Sequence, residues 1–277
     1  MADKTGIAWT DATWNIFTGC NKISEGCKNC YAERDWNRLS HNPTTVYFNR
    51  RFSDVMFHPE RLSIPEKWTR PRRIFVNSMS DLFHENISDT DRDKVFDVME
   101  NLPRHVFQIL TKRPAKMKEY MTGREQRGFT PRKNIWLGVT VENQDAADER
   151  IPLLISTPAS LRWLSIEPLL SPVVLSDVPV GMLGPLRWKT CPPDLPKIDW
   201  VVVGGESGPK ARKMNPEWAL AIIDECKEAG TPVFFKQGSA TWGREFKNMD
   251  VLDENFSMKL RSRLRVREFP KIVDSKN

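Results

Sequence analysis

The chain has 277 residues, 39% of them hydrophobic, enough to bury a sizeable core, and no linker-like stretch divides it. No apolar run approaches the roughly 18–20 residues of a membrane span, and no apolar opening stretch would direct secretion, so the expected setting is a reducing cytoplasm with no membrane partner. Forty-two Lys and Arg against 36 Asp and Glu leave a net charge of +6, which favours anionic partners without naming them.

In chain order, the first strand-like stretch runs from Trp14 to Thr18 and leads directly into Cys20, Cys27 and Cys30. Three thiolates on one short loop can hold three irons of a cubane and leave the fourth iron without a protein ligand. With only five cysteines in the chain, a disulfide framework explains the trio poorly. A structural zinc ion completed by His41 is the weaker alternative, because nothing pairs with the trio at finger-type spacing. After Cys30 the pattern turns helical, with Ala32, Trp36 and Leu39 on one side.

Six further β-branched runs follow: Arg73 to Asn77, Val106 to Leu110, Ile135 to Thr140, Leu161 to Ile166, Trp200 to Gly204 and Pro232 to Lys236. Helical segments separate them. One starts at Ser88-Asp-Thr-Asp91 and carries Val95, Val98, Met99 and Leu102; another starts at Asn215-Pro216, carries Trp218, Ile222, Ile223 and Cys226 inward and ends at Gly230. Val178 to Lys197, with Trp188 and Cys191, reads as a surface loop, a substrate lid being the alternative. The tail Lys259 to Arg267 alternates basic with mostly apolar residues, so as a strand it sets five positive charges on one face, suited to phosphates or to protecting a sheet edge. Arg50-Arg51 and Arg70 to Arg73, beside Trp68, add to a polyanion reading. Most of the ten tryptophans read as core.

Alternating strands and helices at this spacing require parallel crossovers, and strands that are apolar almost throughout are covered on both faces. The expected fold is α/β, a partial (open) parallel β/α barrel of about six or seven βα units over residues 1–243, with the cysteine loop at 20–30. A basic extension, 244–277, is expected to pack on the barrel. A doubly wound sheet is the alternative. Either architecture binds ligands at strand carboxyl ends. Those ends present Asn77, Ser78, Ser80 and Asp81, then Lys112, Glu142, Glu167, Glu206, and finally Lys236 with Gln237. For each of these the bland reading is a helix cap or a buried salt bridge.

The stretches Thr13-Trp-Asn15 with Thr18-Gly-Cys20, Gly26-Cys-Lys-Asn-Cys-Tyr-Ala-Glu33, Phe75-Val-Asn-Ser-Met-Ser-Asp-Leu-Phe-His84, Leu110-Thr-Lys-Arg-Pro114, Trp136-Leu-Gly-Val-Thr-Val-Glu-Asn143 and Val203-Gly-Gly-Glu-Ser-Gly208 resemble a phage and bacterial family known by its three-cysteine motif. That family has been treated as a relative of the radical S-adenosylmethionine enzymes. The resemblance implies a radical-SAM-like partial barrel, a [4Fe-4S] cluster on Cys20, Cys27 and Cys30, and S-adenosyl-L-methionine on the open iron. It departs from the larger superfamily in two places. The first cysteine gap is six residues rather than three, with Asn29 where an aromatic residue is usual and Tyr31 after the third cysteine. The Gly-Gly-Glu that holds the methionine amino group after the second strand is absent there; this chain has Asn77-Ser-Met, and its own Gly204-Gly-Glu206 follows the sixth strand.

What the resemblance implies is an enzyme that generates a 5′-deoxyadenosyl radical for hydrogen abstraction, served by an external electron donor of flavodoxin or ferredoxin type. Asn77, Ser78, Ser80, Asp81, Lys112, Glu142 and Glu167 are then candidates for the cofactor, and Glu206, Lys236 and Gln237 for the substrate. The basic tracts and the phage setting point to DNA or a nucleotide, a hypermodified pyrimidine in phage DNA among the options, in the host cytoplasm. Two alternatives stand beside this: a metal-stabilised, non-enzymatic nucleic-acid-binding protein, and a radical DNA-repair lyase.

Overall fold

The structure, a computed structural model, describes residues 5–179, 195–239 and 262–270; Trp188, Cys191, Lys259, Arg261 and the expected boundary at 243 lie outside them. The chain divides into two compact units, Met1–Val139 with Thr157–Leu161, and Thr140–Ser156 with Arg162–Asn277.

The first unit runs β1 (Ala12–Trp14), β2 (Phe17–Thr18), α1 (Tyr31–Leu39), β3 (Met56–Phe57), β4 (Arg73–Val76), α2 (Asp89–Glu100), β5 (Val106–Thr111), α3 (Pro114–Gln126) and β6 (Ile135–Thr140). β1, β4, β5 and β6 pair in parallel, in that order. α2 starts where the sequence signals it, with Ser88 Oγ accepting from the Asp91 amide at 3.1 Å. The second unit runs α4 (Gln144–Ile155), β7 (Leu161–Ile166), β8 (Trp200–Val203), α5 (Pro216–Ala229) and β9 (Val233–Phe235), with β7, β8 and β9 also parallel. α5 takes Asn215 as its N-cap and stops at Gly230, whose φ of 70° is the left-handed geometry that glycine adopts at least cost.

The seven strands follow the order β1-β4-β5-β6-β7-β8-β9. A doubly wound sheet needs a point where strand order reverses, and this order has none. The fold is therefore the expected partial, open β/α barrel and not the doubly wound alternative. Trp9, Trp14, Trp36, Trp136, Trp163 and Trp200 are buried, so most of the described tryptophans are core; Trp218, expected inward on α5, is only half-buried.

Two expected strands are corrected. Trp14 to Thr18 is not one strand. Asn77, itself at φ 61°, turns its Oδ1 to accept from the amides of Ile16 and Phe17, both at 3.1 Å, and this draws the chain off the sheet after Trp14. Phe17 and Thr18 then pair antiparallel with β3. The basic tail is not a strand across its described part either. Ser262 to Arg265 form a helical turn, and Arg267 makes a single antiparallel bridge to Phe234, fixed by Phe235 N to Val266 O at 3.0 Å and Glu268 N to Val233 O at 3.0 Å. Its charges leave one face: Arg263 binds Asp224, while Arg267 lies over the Phe234 ring.

Candidate functional site

The cysteine loop is pinned before its first thiol. Asn15 Oδ1 accepts from Ser78 Oγ and from the Met79 amide, both at 3.1 Å. Gly19 donates its amide to Met79 O at 3.1 Å, while its own carbonyl accepts from Ser80 Oγ at 2.6 Å. At φ 96°, and with a would-be Cβ only 2.5 Å from Asp54 O, position 19 admits glycine alone without rearrangement. Cys20 N then donates to Phe52 O at 2.8 Å. Cys27 closes a short 3-10 turn, and Cys30 is the N-cap of α1, which is anchored by buried Ala32 and Trp36 packed with Met79. All three thiols are half-buried and outside any disulfide.

Their electrostatic surroundings differ. Arg113, its side chain 5% exposed, brings Nη1 to 3.7 Å from Cys20 Sγ and is held by Asp81 at 3.2 Å and Glu85 at 2.8 Å. Burial and the Asp81 carboxylate push the Cys20 thiol up to about 11, against the pull of Arg113. Cys27 goes the other way. Burial alone would raise it, but the Lys112 charge, backbone hydrogen bonds from Ile23 and Ser24, and Ser24 Oγ at 3.7 Å together bring it below the usual thiol value.

The residues expected to bind a cofactor after β4 do gather at this loop, largely as its struts. Asp81 is saturated: it accepts from Thr111 Oγ1 at 2.7 and 2.9 Å, from the Phe83 and Lys112 amides, and from Arg113. Ser78 and Ser80 spend their hydroxyls on Asn15 and Gly19, and Asn77 spends its Oδ1 on the loop entry. Two donors are left over. Lys112 is half-buried and its ammonium makes no hydrogen bond among the described residues, and Asn77 Nδ2 is buried without a partner.

In the second unit, Glu142 is 1% exposed and is gripped by Arg150 Nη1 at 2.8 Å and Nη2 at 3.3 Å. Glu206 is likewise held by Arg212, through Nη2 at 2.6 Å, Nε at 3.0 Å and the backbone amide at 2.8 Å. Both carboxylates are thus neutralised inside the unit, matching the salt-bridge alternative. Glu167 joins the residues expected for substrate: its Oε1 accepts from Lys236 Nζ at 2.6 Å and Gln237 Nε2 at 2.8 Å, and all three remain partly open. Gly205 permits this arrangement, since a Cβ there would stand 2.3 Å from Ser239 N. Sequence reasoning did not single out Arg113, Arg150 or Arg212. Arg113 stood within the quoted Leu110-Thr-Lys-Arg-Pro114 stretch, so its position carried a signal; the other two lie on later segments and carried none.

Among the described residues no three His, Cys, Asp or Glu side chains are grouped to hold one metal ion. His41 is instead exposed, with Nδ1 2.6 Å from Asn37 O. Arg113 and Lys112 place positive charge beside Cys20 and Cys27 respectively. A family model described as "Protein of unknown function (DUF5131)" matches residues 4–265. No curated protein and no solved structure matches the chain.

Proposed function

The chain belongs to the DUF5131 family, and from its cysteine loop we propose that it is a radical S-adenosylmethionine enzyme abstracting hydrogen from a nucleic-acid base or nucleotide. The observation that carries the reading is three thiols on one pinned loop, with a buried guanidinium 3.7 Å from Cys20 Sγ. Cys20, Cys27 and Cys30 would hold a [4Fe-4S] cluster, which with S-adenosyl-L-methionine supplies one-electron chemistry able to break an unactivated C–H bond.

The chain's own residues do the positioning. Arg113 carries a fixed positive charge to Cys20, and Asp81 with Glu85 keeps its fork from swinging away. Asp81 has no lone pair to spare for acid–base work, so its role is to orient. Lys112 and Asn77 Nδ2 are the donors left for the carboxylate of the cofactor's amino-acid end. Glu167, Lys236 and Gln237 offer an acceptor and two donors, suited to a polar substrate edge. The net charge of +6 supports an anionic substrate, and DNA or a nucleotide fits it.

Anaerobic purification, iron reconstitution and reduction by dithionite with S-adenosyl-L-methionine test the reading. About four irons per chain and dithionite-dependent 5′-deoxyadenosine, lost in Cys27→Ala, are the expected results. Zinc in place of iron, or a cluster that never cleaves the cofactor, overturns it.

A further inference from the structure

Three basic tracts stand out in the sequence, and the structure sorts them. Arg50 is turned inward, donating to Thr18 Oγ1, Val46 O and Asp54 O, and Arg51 pairs with Asp54 at 3.1 Å. In the tail, Arg263 pairs with Asp224 and Arg267 lies over Phe234. Among the described residues the tail keeps Arg265 exposed without a carboxylate partner, whereas the tract around Trp68 keeps both Lys67 and Arg70 so.

The fold enlarges that tract. Arg104, just before β5, donates Nη2 to Glu66 O at 2.9 Å and Nε to Trp68 O at 3.2 Å, so it lies against the 66–68 segment. Val106 N bonds Arg72 O at 2.8 Å and Phe107 N bonds Asn134 O at 2.7 Å, which sets the segments leading into β4, β5 and β6 side by side. With strands about 4.8 Å apart, the cations preceding these three strands form one stripe. Lys67, Arg70, Arg104, Arg132 and Lys133 are all exposed, and among the described residues none has a carboxylate within ion-pair distance. The nearby acids Asp11 and Glu100 are engaged by Arg73 and Arg124 at 2.8 and 2.7 Å, leaving Glu66 and Glu125 as the exposed acids on these segments.

Aromatic surface flanks the stripe on both sides. Trp68 is half-buried with the Arg72 guanidinium 5.0 Å from its ring centroid. Phe129 is 38% exposed and lines a cleft with Pro131, Arg132, Pro158 and Ser160. Cations that track a backbone, beside rings on which unpaired bases can stack, are what single strands require; a duplex hides its base faces. We propose that the amino edge of β4, β5 and β6 is a docking surface for a single-stranded polynucleotide. This edge is opposite the strand carboxyl ends that carry the cysteine loop, so it anchors a polymer at a distance from the thiols. Docking there needs no cluster.

The test is fluorescence anisotropy of a labelled single-stranded DNA, the matching RNA and the matching duplex across a salt series, on the full chain with and without iron. Single-strand affinity should fall with salt at a log–log slope of roughly −0.7 per phosphate contacted, or about −3 for four to five contacts. Lys67→Ala with Arg70→Ala, and separately Arg132→Ala with Lys133→Ala, should each make the slope shallower by about 1.4. Arg51→Ala and Arg263→Ala, whose charges are already paired, should leave it unchanged. Circular dichroism checks each fold, and the single changes Arg70→Gln and Lys133→Gln replace any double variant that fails it. DNA and RNA arms of similar affinity support backbone recognition; a preference for one names the polymer. No salt-dependent binding, equal displacement by polyglutamate, a duplex held as tightly as the single strand, or slopes unmoved by the stripe variants would overturn the proposal. Patch-dependent binding in a chain that takes no iron would sink the radical reading alone, and iron chemistry without patch dependence would sink this one alone.

Discussion

Replacing Arg113 by Met removes the one cation that joins Asp81, Glu85 and Cys20. The Arg113 and Asp81 side chains are 5% and 9% exposed, so the change strands a carboxylate in the interior. Breaking such a pair from one side costs about 3–5 kcal/mol. Thr111 Oγ1 and the Phe83 and Lys112 amides still solvate Asp81, which places the loss near the low end, at about 3 kcal/mol. The Glu85 contact adds at most about 0.5 kcal/mol, because that carboxylate is 63% exposed. Arg113→Lys keeps the charge but loses the planar fork, and should cost about half as much. Urea unfolding of the iron-free chain, followed by tryptophan fluorescence, measures both. Asp81→Asn completes a double-mutant cycle in which the pair should be strongly non-additive. A loss below about 1 kcal/mol for Arg113→Met, or simple additivity with Asp81→Asn, would refute a buried, coupled pair.

Three further outcomes are expected. In the iron-free chain at pH 8, a short iodoacetamide pulse should label Cys27 well before Cys20, by roughly tenfold or more once the lower nucleophilicity of a low-pKa thiolate is counted, because Cys27 is held low and Cys20 is pushed up to about 11; peptide mass spectrometry reads the order. His58, buried and 2.8 Å from Thr18 Oγ1, is lowered to about 4 chiefly by burial, so its contribution is fully present above pH 6.5 and is lost as pH falls towards 4. Unfolding free energy should drop by up to about 3 kcal/mol across that window, and His58→Gln should flatten the profile. Gly19→Ala, which needs a Cβ 2.5 Å from Asp54 O at φ 96°, should destabilise the chain by about 2 kcal/mol or more and lower iron uptake, both measured against Gly6→Ala, where a Cβ meets nothing.

The parts of the molecule that could be read in advance are those set by local pattern. The runs at Ile135 to Thr140 and Leu161 to Ile166 are strands with the same bounds in the structure, because their apolar residues are buried on both faces. The Ser88 and Asn215 caps and the Gly230 stop likewise depend on neighbours a few residues away. What escaped depends on partners far along the chain. The break after Trp14 is made by a side chain about sixty residues later, Asn77. The trio of cysteines was legible from spacing alone, but Arg113 reaches Cys20 across 93 residues, and no periodicity reports that contact. Across its described part, 262–267, the tail is not a strand: among the described residues it meets the edge of β9 at one bridge, a tertiary fact that alternation of charge does not encode.

The polar residues at the strand ends therefore separate into those whose hydrogen bonds are spent and those whose groups are not, and Lys112 tests the difference. Its ammonium makes no hydrogen bond among the described residues and is half-buried, so Lys112→Met removes no strut and should change unfolding free energy by less than about 0.5 kcal/mol. Yet the same charge helps hold the Cys27 thiol low. Its removal should slow iodoacetamide labelling of Cys27 several-fold at pH 8 and leave the already slow Cys20 unchanged. Ser80→Ala should do the reverse, loosening the loop at Gly19 O with a loss of about 1 kcal/mol and no direct effect on the Cys27 charge. If Lys112→Met costs as much stability as Ser80→Ala, or leaves the Cys27 rate untouched, then the lysine is one more structural strut, and the thiols face no cation available to an anionic ligand.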